Sequence, residues 1–285
     1  MARILVVGSG DVGGTLARNL SAQKHEVFGL RRSDKSVGDG VTTISADVAD
    51  METLIGQIPE NLDYVVYSVA SPDFSEEGYE QFYVQGLTHI VALLKQQHAK
   101  PKRIFFVSST SVYHHHDGSW VDETTTPEPT AFAGKKMFLA ETKLHESGYP
   151  NTVVRFSGIY GPGRTRLINQ ALHGSHCDPE PPLWTNRIHR DDCVGVLAFL
   201  IEKCEAGVDI DDLYVGSDPT PAPLFDVLEW IKDRVGEVDP DHDIPEAARR
   251  GNKRISCKKL QDLGYKFKYV DYQQGYEEIL TDMGY

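Results

Sequence analysis

The sequence has few cysteines, no long apolar run and no excess of positive charge. Its four cysteines among 285 residues show no Cys-x-x-Cys spacing, which argues against a disulfide scaffold. No apolar stretch approaches the roughly 18 residues of a membrane-spanning helix. The chain opens on a strand-like run with no charged leader or small-residue cleavage site, so we expect a cytoplasmic protein.

Negative charge dominates the composition. There are 29 Lys and Arg residues against 42 Asp and Glu residues, which gives a net charge of −13. Such a surface repels polyanions, which argues against nucleic acid or an anionic membrane as a partner. A local basic pocket for a small phosphorylated ligand is still compatible with this composition.

Short apolar runs alternate with longer helical patterns, and no internal repeat or heptad pattern is present. The strand-like runs cover residues 3–7, 26–30, 41–45, 64–69, 103–107 and 152–156. The helical patterns cover residues 12–23, 51–58, 77–97 and 132–145. Strands that are apolar on both faces, with helices between them, predict an α/β fold with a doubly wound parallel sheet of the Rossmann type.

The alternation changes after about residue 158, where the chain becomes rich in Gly, Pro and His. A helix over 191–203 and a short strand over 213–215 follow, and from residue 219 we expect a helix, an acidic loop and a final region. We predict a dinucleotide-binding domain from residues 1–157 plus about 187–218. A smaller C-terminal substrate-binding lobe takes about 158–186 plus 219–285.

Gly8, Gly10 and Gly13 form a G-x-G-x-x-G pattern between the first strand and the first helix. Gly8 permits a tight turn, Gly10 lets the backbone approach a pyrophosphate, and Gly13 lets the helix pack on the strand. The helix start, Asp11 and Val12, offers N–H groups and a positive dipole end to phosphates. The alternative is a structural turn without a ligand.

Arg31 and Arg32 follow the second strand, where NAD sites usually place an acidic residue that accepts from the ribose hydroxyls. Arginine cannot accept a hydrogen bond, but it pairs well with a 2′-phosphate. A charge-assisted bond contributes about 1.5–3 kcal/mol, or about tenfold or more in affinity. The pattern favours NADP over NAD, and two solvated arginines are the alternative.

Two further segments are candidates for cofactor contact. Asp47 and Val48 follow the third strand, where a side chain can reach the adenine, although Asp47 could equally be a surface acid. Ser68, Val69 and Ala70 end the fourth strand in small residues. Small residues allow a cofactor to approach closely, and they also simply pack.

Four segments together resemble the extended short-chain dehydrogenase/reductase superfamily, in its nucleotide-sugar epimerase and dehydratase branch. They are the glycine turn, FVSSTSVY at 106–113, RFSGIYGPG at 155–163 and IHRDD at 188–192. The resemblance implies an NAD(P)-dependent oxidoreductase or epimerase/dehydratase acting on a sugar-nucleotide-like or small carbonyl substrate. It also implies cofactor contacts from Phe156 and Ser157, and a homodimer formed through helices that flank the sheet.

The family's catalytic Tyr-x-x-x-Lys pair is missing from this chain. One alignment register places Ala133 and Met137 at the two positions, and the other places Phe132 and Lys136 there. None of the 13 tyrosines has a lysine four residues later. By the resemblance, Ser109 holds the reacting substrate oxygen. A positioned acid or base contributes about 10²–10⁴-fold to rate, so turnover is expected to be slow unless another group substitutes.

Candidate substitutes are Tyr113, Lys135, Lys136 and His189. The two lysines could equally form a solvated helix face, and Tyr113 could be a structural feature of the family. A chain that kept the cofactor site and lost the proton donor would instead be a non-enzymatic NAD(P)-binding sensor or regulator.

By the resemblance, five residues face the substrate: Ser111, Tyr160, Arg164, Arg187 and His189. The positive groups among them suit a diphosphate or carboxylate, as in a nucleotide-sugar-like ligand. The alternative for each is a surface or ion-pairing role.

No metal site is predicted. The adjacent histidines at 114–116 cannot all point at one ion, and we expect a flexible loop there. His173, His176 and Cys177 lack a clear fourth ligand. The acidic stretch 237–246 is predicted to be solvated surface.

Overall fold

A computed structural model describes residues 1–175, 177–236 and 251–285. The strands are β1 (Arg3–Val7), β2 (Glu26–Arg31), β3 (Val41–Ser45), β4 (Tyr64–Tyr67), β5 (Arg103–Ser109), β6 (Trp120–Val121), β7 (Asn151–Phe156), β8 (Gly158–Tyr160), β9 (Trp184–Thr185), β10 (Arg187–His189), β11 (Leu213–Gly216), β12 (Ala222–Pro223) and β13 (Arg254–Ile255). The α-helices are α1 (Asp11–Ala22), α2 (Met51–Leu54), α3 (Glu76–Tyr79), α4 (Gly86–Gln96), α5 (Phe132–His145), α6 (Arg166–Leu172), α7 (Arg190–Glu205), α8 (Leu224–Val235), α9 (Lys258–Leu263) and α10 (Tyr272–Asp282). A π-helical turn, Glu80–Gln85, joins α3 to α4, and a 3₁₀ turn, Thr110–Val112, follows β5.

The central sheet is parallel and has seven strands in the order β11-β7-β5-β4-β1-β2-β3. This confirms the predicted doubly wound α/β fold. Val7 of β1 is paired with Leu30 of β2 and with Tyr67 of β4, so these three strands end at one edge of the sheet. The strand order reverses between β1 and β4, which is where ligands bind in open α/β sheets.

Two predicted helices differ from the structure. The helix predicted over 51–58 ends at Leu54, because Ile55 is extended (φ −59°, ψ 126°) and Gly56 has a left-handed φ of +74°. The helical segment predicted over 77–97 is present without a break, but its residues Glu80–Gln85 form a π-helical turn. Both differences are local changes of the backbone, and the spacing of apolar residues along the sequence does not indicate either of them.

The chain divides into two compact units. The first comprises Met1–Val112, Pro127–Arg155 and Val194–Tyr214, and it carries most of the central sheet. The second comprises Tyr113–Thr126, Phe156–Cys193 and Val215–Tyr285. It has its own apolar core, in which α6, α8 and α10 contribute side chains. The assignment of a cofactor domain and a substrate lobe stays a prediction.

None of the helices that the structure describes is both long enough and apolar enough to cross a membrane.

A buried ion pair fixes α5 in the first unit. The Arg155 guanidinium on β7 donates to both carboxylate oxygens of Glu141 on α5, at 3.0 Å from Nε and 2.6 Å from Nη2. The Ser108 hydroxyl on β5 also donates to Glu141, at 2.5 Å. Because Glu141 and Arg155 are 1% and 4% exposed, the pair is nearly dry, and removal of one partner would leave a buried charge.

We predict that Glu141→Gln lowers the free energy of unfolding by about 3–5 kcal/mol, because the Arg155 charge loses its carboxylate. Urea denaturation measures the change. The matched control is Asp262→Asn, which breaks the Lys258–Asp262 pair whose side chains are 74% and 62% exposed. That change should cost at most about 1 kcal/mol. Equal effects of the two variants would contradict the prediction.

Candidate functional site

The glycine turn lies at the carboxyl end of β1, beside the reversal of strand order. Gly8 has φ +88° and donates its N–H to the Leu30 carbonyl at 2.9 Å. A Cβ on Gly8 would stand 2.6 Å from the Ser68 carbonyl oxygen, and one on Gly13 would stand 2.4 Å from the Gly8 carbonyl oxygen. Both glycines are therefore required by the fold itself.

Gly10 differs, because a Cβ there would meet no atom within 4 Å. Packing does not explain glycine at this position, whereas a ligand that approaches the backbone does. Gly10 is also the N-cap of the 12-residue α1, and as a glycine it has no side chain with which to cap the helix. The open space and the uncapped N–H groups fit the pyrophosphate of a dinucleotide. The Val12 side chain is buried, so that residue could contact a ligand only through its backbone.

Arg31 ends β2 and Arg32 follows it. Arg31 is half-buried and Arg32 is exposed, with its guanidinium carbon 5.4 Å from the centre of the Phe82 ring. Neither arginine forms an ion pair with a residue that the structure describes. Their charge is therefore not neutralised by a carboxylate, which suits a phosphate ligand.

Asp47 and Val48 have contacts of their own in the fold. The Asp47 carboxylate accepts from the Ala49 N–H at 3.0 Å, and the Asp47 N–H donates to Thr53 Oγ1 at 2.9 Å. Val48 is buried, and its carbonyl lies 2.8 Å from Nδ1 of His89. These contacts explain the local turn, and a role in binding adenine stays a prediction.

The small residues after β4 lie against the glycine turn. The Ser68 N–H donates to the Val7 carbonyl at 2.8 Å, which extends the β1–β4 pairing by one residue. An ideal Cβ on Gly8 would stand 2.7 Å from Cα of Val69. Ala70, the last of the three predicted cofactor residues, is exposed. The backbone of this segment thus lies close to that of Gly8, which is one reason for small residues here.

Ser109 ends β5 and Ser111 follows in the 3₁₀ turn. The Ser109 hydroxyl oxygen accepts from the Ser111 N–H at 3.1 Å. α5 packs closely here, since a Cβ on Gly134 would stand 2.4 Å from the Ser111 carbonyl oxygen. Ser109 is half-buried and Ser111 is exposed, so both hydroxyls lie near the carboxyl edge of the sheet.

α5 carries no hydroxyl in either alignment register of the missing pair. Ala133 and Met137 are buried, at 6% and 3% exposure. Lys136 forms ion pairs of 3.3 Å with Glu76 and 3.0 Å with Glu80. The hydrogen bond to Glu80 is the main reason that the pKa of Lys136 is raised. Lys136 is thus an ion-paired residue, whereas its neighbour Lys135 is exposed.

Phe156 and Ser157 anchor the start of the second unit. The Ser157 N–H donates to the Gly216 carbonyl at 2.9 Å, and its hydroxyl donates to Ser217 Oγ at 3.1 Å. Phe156 is 2% exposed, and a Cβ on Gly216 would stand 2.4 Å from its ring. These hydrogen bonds and packing contacts are a sufficient structural reason for both residue types. Their contacts with a cofactor stay predictions.

Three predicted substrate residues lie inside the second unit. Tyr160, Arg187 and His189 are 3%, 3% and 1% exposed, and β8 and β10 pair Tyr160 with His189. Arg187 donates from Nη2 to the Thr185 hydroxyl, and its guanidinium carbon lies 5.3 Å from the Tyr272 ring centre. The structure thus brings these residues together in the interior of the unit.

A fourth buried polar residue, Asp218, joins this cluster. Both carboxylate oxygens of Asp218 lack a hydrogen-bond partner of standard geometry among the described residues, as do Nε and Nη1 of Arg187, Nε2 of His189 and the Tyr160 hydroxyl. Burial raises the pKa of Asp218 to about 7, although the Arg187 charge and the Thr220 N–H act in the opposite direction. Burial also lowers the pKa of His189.

Arg164 lines a cavity within the second unit. The cavity has a volume of about 650 Å³ and is lined by Ile159, Gly163, Arg164, Thr165, Arg166, Asn169, Gln170 and His173. Two arginines and two amides are among its lining residues, and guanidinium and amide groups are able to bind a phosphate or a carboxylate.

Lys253, which no sequence pattern singles out, is only 8% exposed. Its Nζ donates to the Tyr113 carbonyl at 3.0 Å, and no carboxylate pairs with it in the part of the chain that the structure describes. Burial lowers the pKa of Lys253 to about 8. The Tyr113 hydroxyl, one of the candidate proton donors, itself donates to the Asp122 carbonyl at 2.9 Å.

The histidines at 114–116 form no metal site with described neighbours. His114 and His116 contact each other, with ring centres 4.2 Å apart. Across the described ranges, no group of three or more His, Cys, Asp or Glu side chains is arranged to hold an ion. His176 and the acidic stretch 237–246 lie outside the described residues.

Comparison with known proteins gives matches over most of the chain. A sequence profile of the NAD dependent epimerase/dehydratase family matches residues 4–216. A solved structure from Methylobacillus flagellatus, described as a candidate NAD-dependent epimerase/dehydratase, is similar with a TM-score of 0.84 and 40% identity, covering 99% of this chain and 98% of that chain. Protein YeeZ of Escherichia coli K12 is 28% identical over 281 residues, 95% of this chain and 97% of YeeZ.

More distant structures share the fold alone. The UDP-glucuronic acid 4-epimerase of Bacillus cereus, solved in complex with NAD, has a TM-score of 0.75 at 18% identity and covers 99% of this chain and 97% of that chain.

The buried carboxyl of Asp218 predicts a pH dependence. The folded state keeps this proton up to about pH 7, whereas the unfolded chain releases it near its ordinary value of 3.8. The stability that this group contributes is therefore present below about pH 4 and is lost as the pH rises through about 7. The loss is about 4 kcal/mol for a shift of about three pH units.

Asp218→Asn should therefore gain stability relative to the parent as the pH rises from 4 to 8, measured by urea denaturation across that range. The control is Gln96→Ala at an exposed position of α4, whose side chain does not titrate, so its difference from the parent should stay constant across the range. A constant difference between Asp218→Asn and the parent would contradict the assignment.

Proposed function

Because residues 4–216 match its profile, the chain belongs to the NAD-dependent epimerase/dehydratase family, and we propose that it is an NAD(P)-dependent oxidoreductase or epimerase/dehydratase. The observation that carries this proposal is the glycine turn. Gly10 leaves open space beside an uncapped helix N-terminus, where a pyrophosphate would bind.

Within the first unit, each part of the turn has a distinct role. Gly8 and Gly13 bring β1, α1 and the end of β4 close together, and Gly10 leaves room for the phosphates. Ser109, at the end of β5, donates its hydroxyl hydrogen to the substrate oxygen that reacts. A bound nicotinamide supplies or accepts hydride at its C4 atom.

The substrate that we propose is a small carbonyl or hydroxyl compound with an anionic group, as in a nucleotide sugar. The support is the cavity of the second unit, about 650 Å³ in volume, whose lining includes the guanidinium groups of Arg164 and Arg166. A relative of the same fold acts on UDP-glucuronic acid by name.

A second candidate function is a non-enzymatic NAD(P)-binding sensor. The observation that favours it is the character of α5, where Ala133 and Met137 are buried and Lys136 is paired with two carboxylates. Incubation of the purified protein with NADPH and a panel of carbonyl compounds separates the two functions. Turnover that Ser109→Ala abolishes supports the enzyme, and coenzyme binding without turnover supports the sensor.

Gly10→Ala provides the direct test of the glycine turn. The added methyl meets no protein atom within 4 Å but lies where the pyrophosphate would approach. We expect at least about tenfold weaker binding of NAD and NADP by calorimetry, equivalent to about 1.4 kcal/mol, with little change in the thermal midpoint. Unchanged coenzyme affinity would contradict the proposed site.

The choice between coenzymes is predicted to depend on Arg31 and Arg32. Replacing both with alanine should weaken NADP binding by tenfold or more, because a charge-assisted bond contributes about 1.5–3 kcal/mol. NAD binding should change little, since NAD lacks the 2′-phosphate. The double change of Lys95→Ala and Lys100→Ala, at two exposed positions, also removes two positive charges and therefore controls for net charge. An equal loss for both coenzymes would argue against 2′-phosphate recognition.

A further inference from the structure

The proposed chemistry needs a proton donor that α5 does not supply. Ala133 and Met137 have no ionisable group, and Phe132 packs against Phe74 and Tyr79 with ring centres 5.0 and 5.5 Å away. Lys136 is held by Glu76 and Glu80. Neither alignment register of the missing pair therefore provides a donor on α5, which directs attention to the other elements at the carboxyl edge of the sheet.

Tyr83 places a phenolic hydroxyl at the carboxyl edge of the sheet. Its oxygen accepts from the Ser71 N–H at 3.4 Å, in the segment that follows β4. β4 lies between β1, which ends at the glycine turn, and β5, which ends at Ser109. The Tyr83 side chain is half-buried, so solvent still reaches it.

The π-helical turn Glu80–Gln85 determines where Tyr83 points. The Tyr67 hydroxyl on β4 donates to the Phe82 carbonyl at 2.5 Å. A Cβ on Gly86 would stand 2.4 Å from that hydroxyl, so only glycine fits there. Buried Tyr67 thereby fixes the widened turn from the sheet side. Turns of this kind are rare and often occur at functional sites.

Tyr79 lies on the same helical segment but is placed differently. Its ring packs between Phe74 and Phe132, with ring centres 5.6 and 5.5 Å away, and contacts the Tyr83 ring at 4.9 Å. Tyr79 thus belongs to an aromatic cluster beside α5, whereas the Tyr83 oxygen accepts from the Ser71 N–H in the segment that follows β4.

We propose that the Tyr83 hydroxyl is the proton donor and acceptor that replaces the missing tyrosine of α5. This rests on the proposed function. In the reductive direction the Tyr83 O–H bond breaks and its proton passes to the substrate carbonyl oxygen, while the carbonyl carbon takes hydride from a reduced nicotinamide. The phenolate then regains a proton from solvent, and the oxidative direction is the reverse.

The test replaces every tyrosine with 3-fluorotyrosine and follows the ¹⁹F resonance of residue 83, assigned by its absence from Tyr83→Phe. Oxidised NAD carries a positive nicotinamide ring, which favours a nearby phenolate, whereas the reduced ring is neutral. We expect NAD⁺ to lower the ionisation midpoint of Tyr83 by at least about one pH unit and NADH to leave it unchanged. The Tyr79 resonance, assigned from Tyr79→Phe, should shift less than that of Tyr83, since its ring contacts the Tyr83 ring but its place is in the aromatic cluster beside α5.

Turnover gives a second readout, with NADPH and 9,10-phenanthrenequinone as the probe. Tyr83→Phe should lower the rate about 10²–10⁴-fold with coenzyme affinity within about twofold, and Tyr79→Phe should change the rate only a few-fold. Tyr83→His, which restores a proton donor, should recover part of the rate and also provides the assignment if Tyr83→Phe does not fold.

The outcomes separate this inference from the function that it rests on. A Tyr83 resonance that titrates identically with bound NAD⁺ and with NADH overturns the inference and leaves the coenzyme site intact. If the unsubstituted protein binds neither NAD nor NADP in calorimetry, the proposed function itself fails, and the role of Tyr83 fails with it.

Discussion

The close approach of the β1–α1 turn to the end of β4 determines how the first unit is built. A Cβ on Gly8 would stand within 2.7 Å of the backbone of both Ser68 and Val69, so any other residue would push the two strands apart. The approach occurs where the strand order reverses, and it aligns the strand ends from which Ser109 and the segment around Ser71 continue. The geometry of the proposed active site is thus fixed by a backbone contact in which glycine takes part.

Most of the sheet could be predicted because parallel strands covered by helices must be apolar on both faces. Arg3–Val7 and Val41–Ser45 have the predicted bounds, and α5 does as well. The short α2 and the π-helical turn could not be predicted. Each depends on contacts from outside the segment or on a single backbone angle, and neither changes the spacing of apolar residues.

The glycine turn was recognisable because its spacing, its strand and its helix are all local in sequence. The buried polar cluster of the second unit was not. The N–H of Asp218 donates to the Arg187 carbonyl at 2.7 Å, and Lys253 donates to a carbonyl 140 residues away, so burial of both depends on contacts distant in sequence. A single aspartate or lysine has no periodicity from which its burial could be read. Arg187, which the resemblance places at the substrate, lies with its guanidinium carbon 5.3 Å from the Tyr272 ring centre, and its role at a ligand stays a prediction.

The π-helical turn between α3 and α4 has a consequence for how this edge of the sheet can vary. An α-helix presents each face once in about 3.6 residues, and one surplus residue rotates everything after it by about 100°. Phe82 and Leu87 are both buried, and Tyr83 between them remains partly accessible. The surplus residue therefore lets the same segment bury these two apolar side chains and keep the Tyr83 side chain accessible. Deleting the surplus residue would restore a regular α-helix. Such a helix could keep the apolar side chains buried or keep the Tyr83 hydroxyl in its present position, but not both.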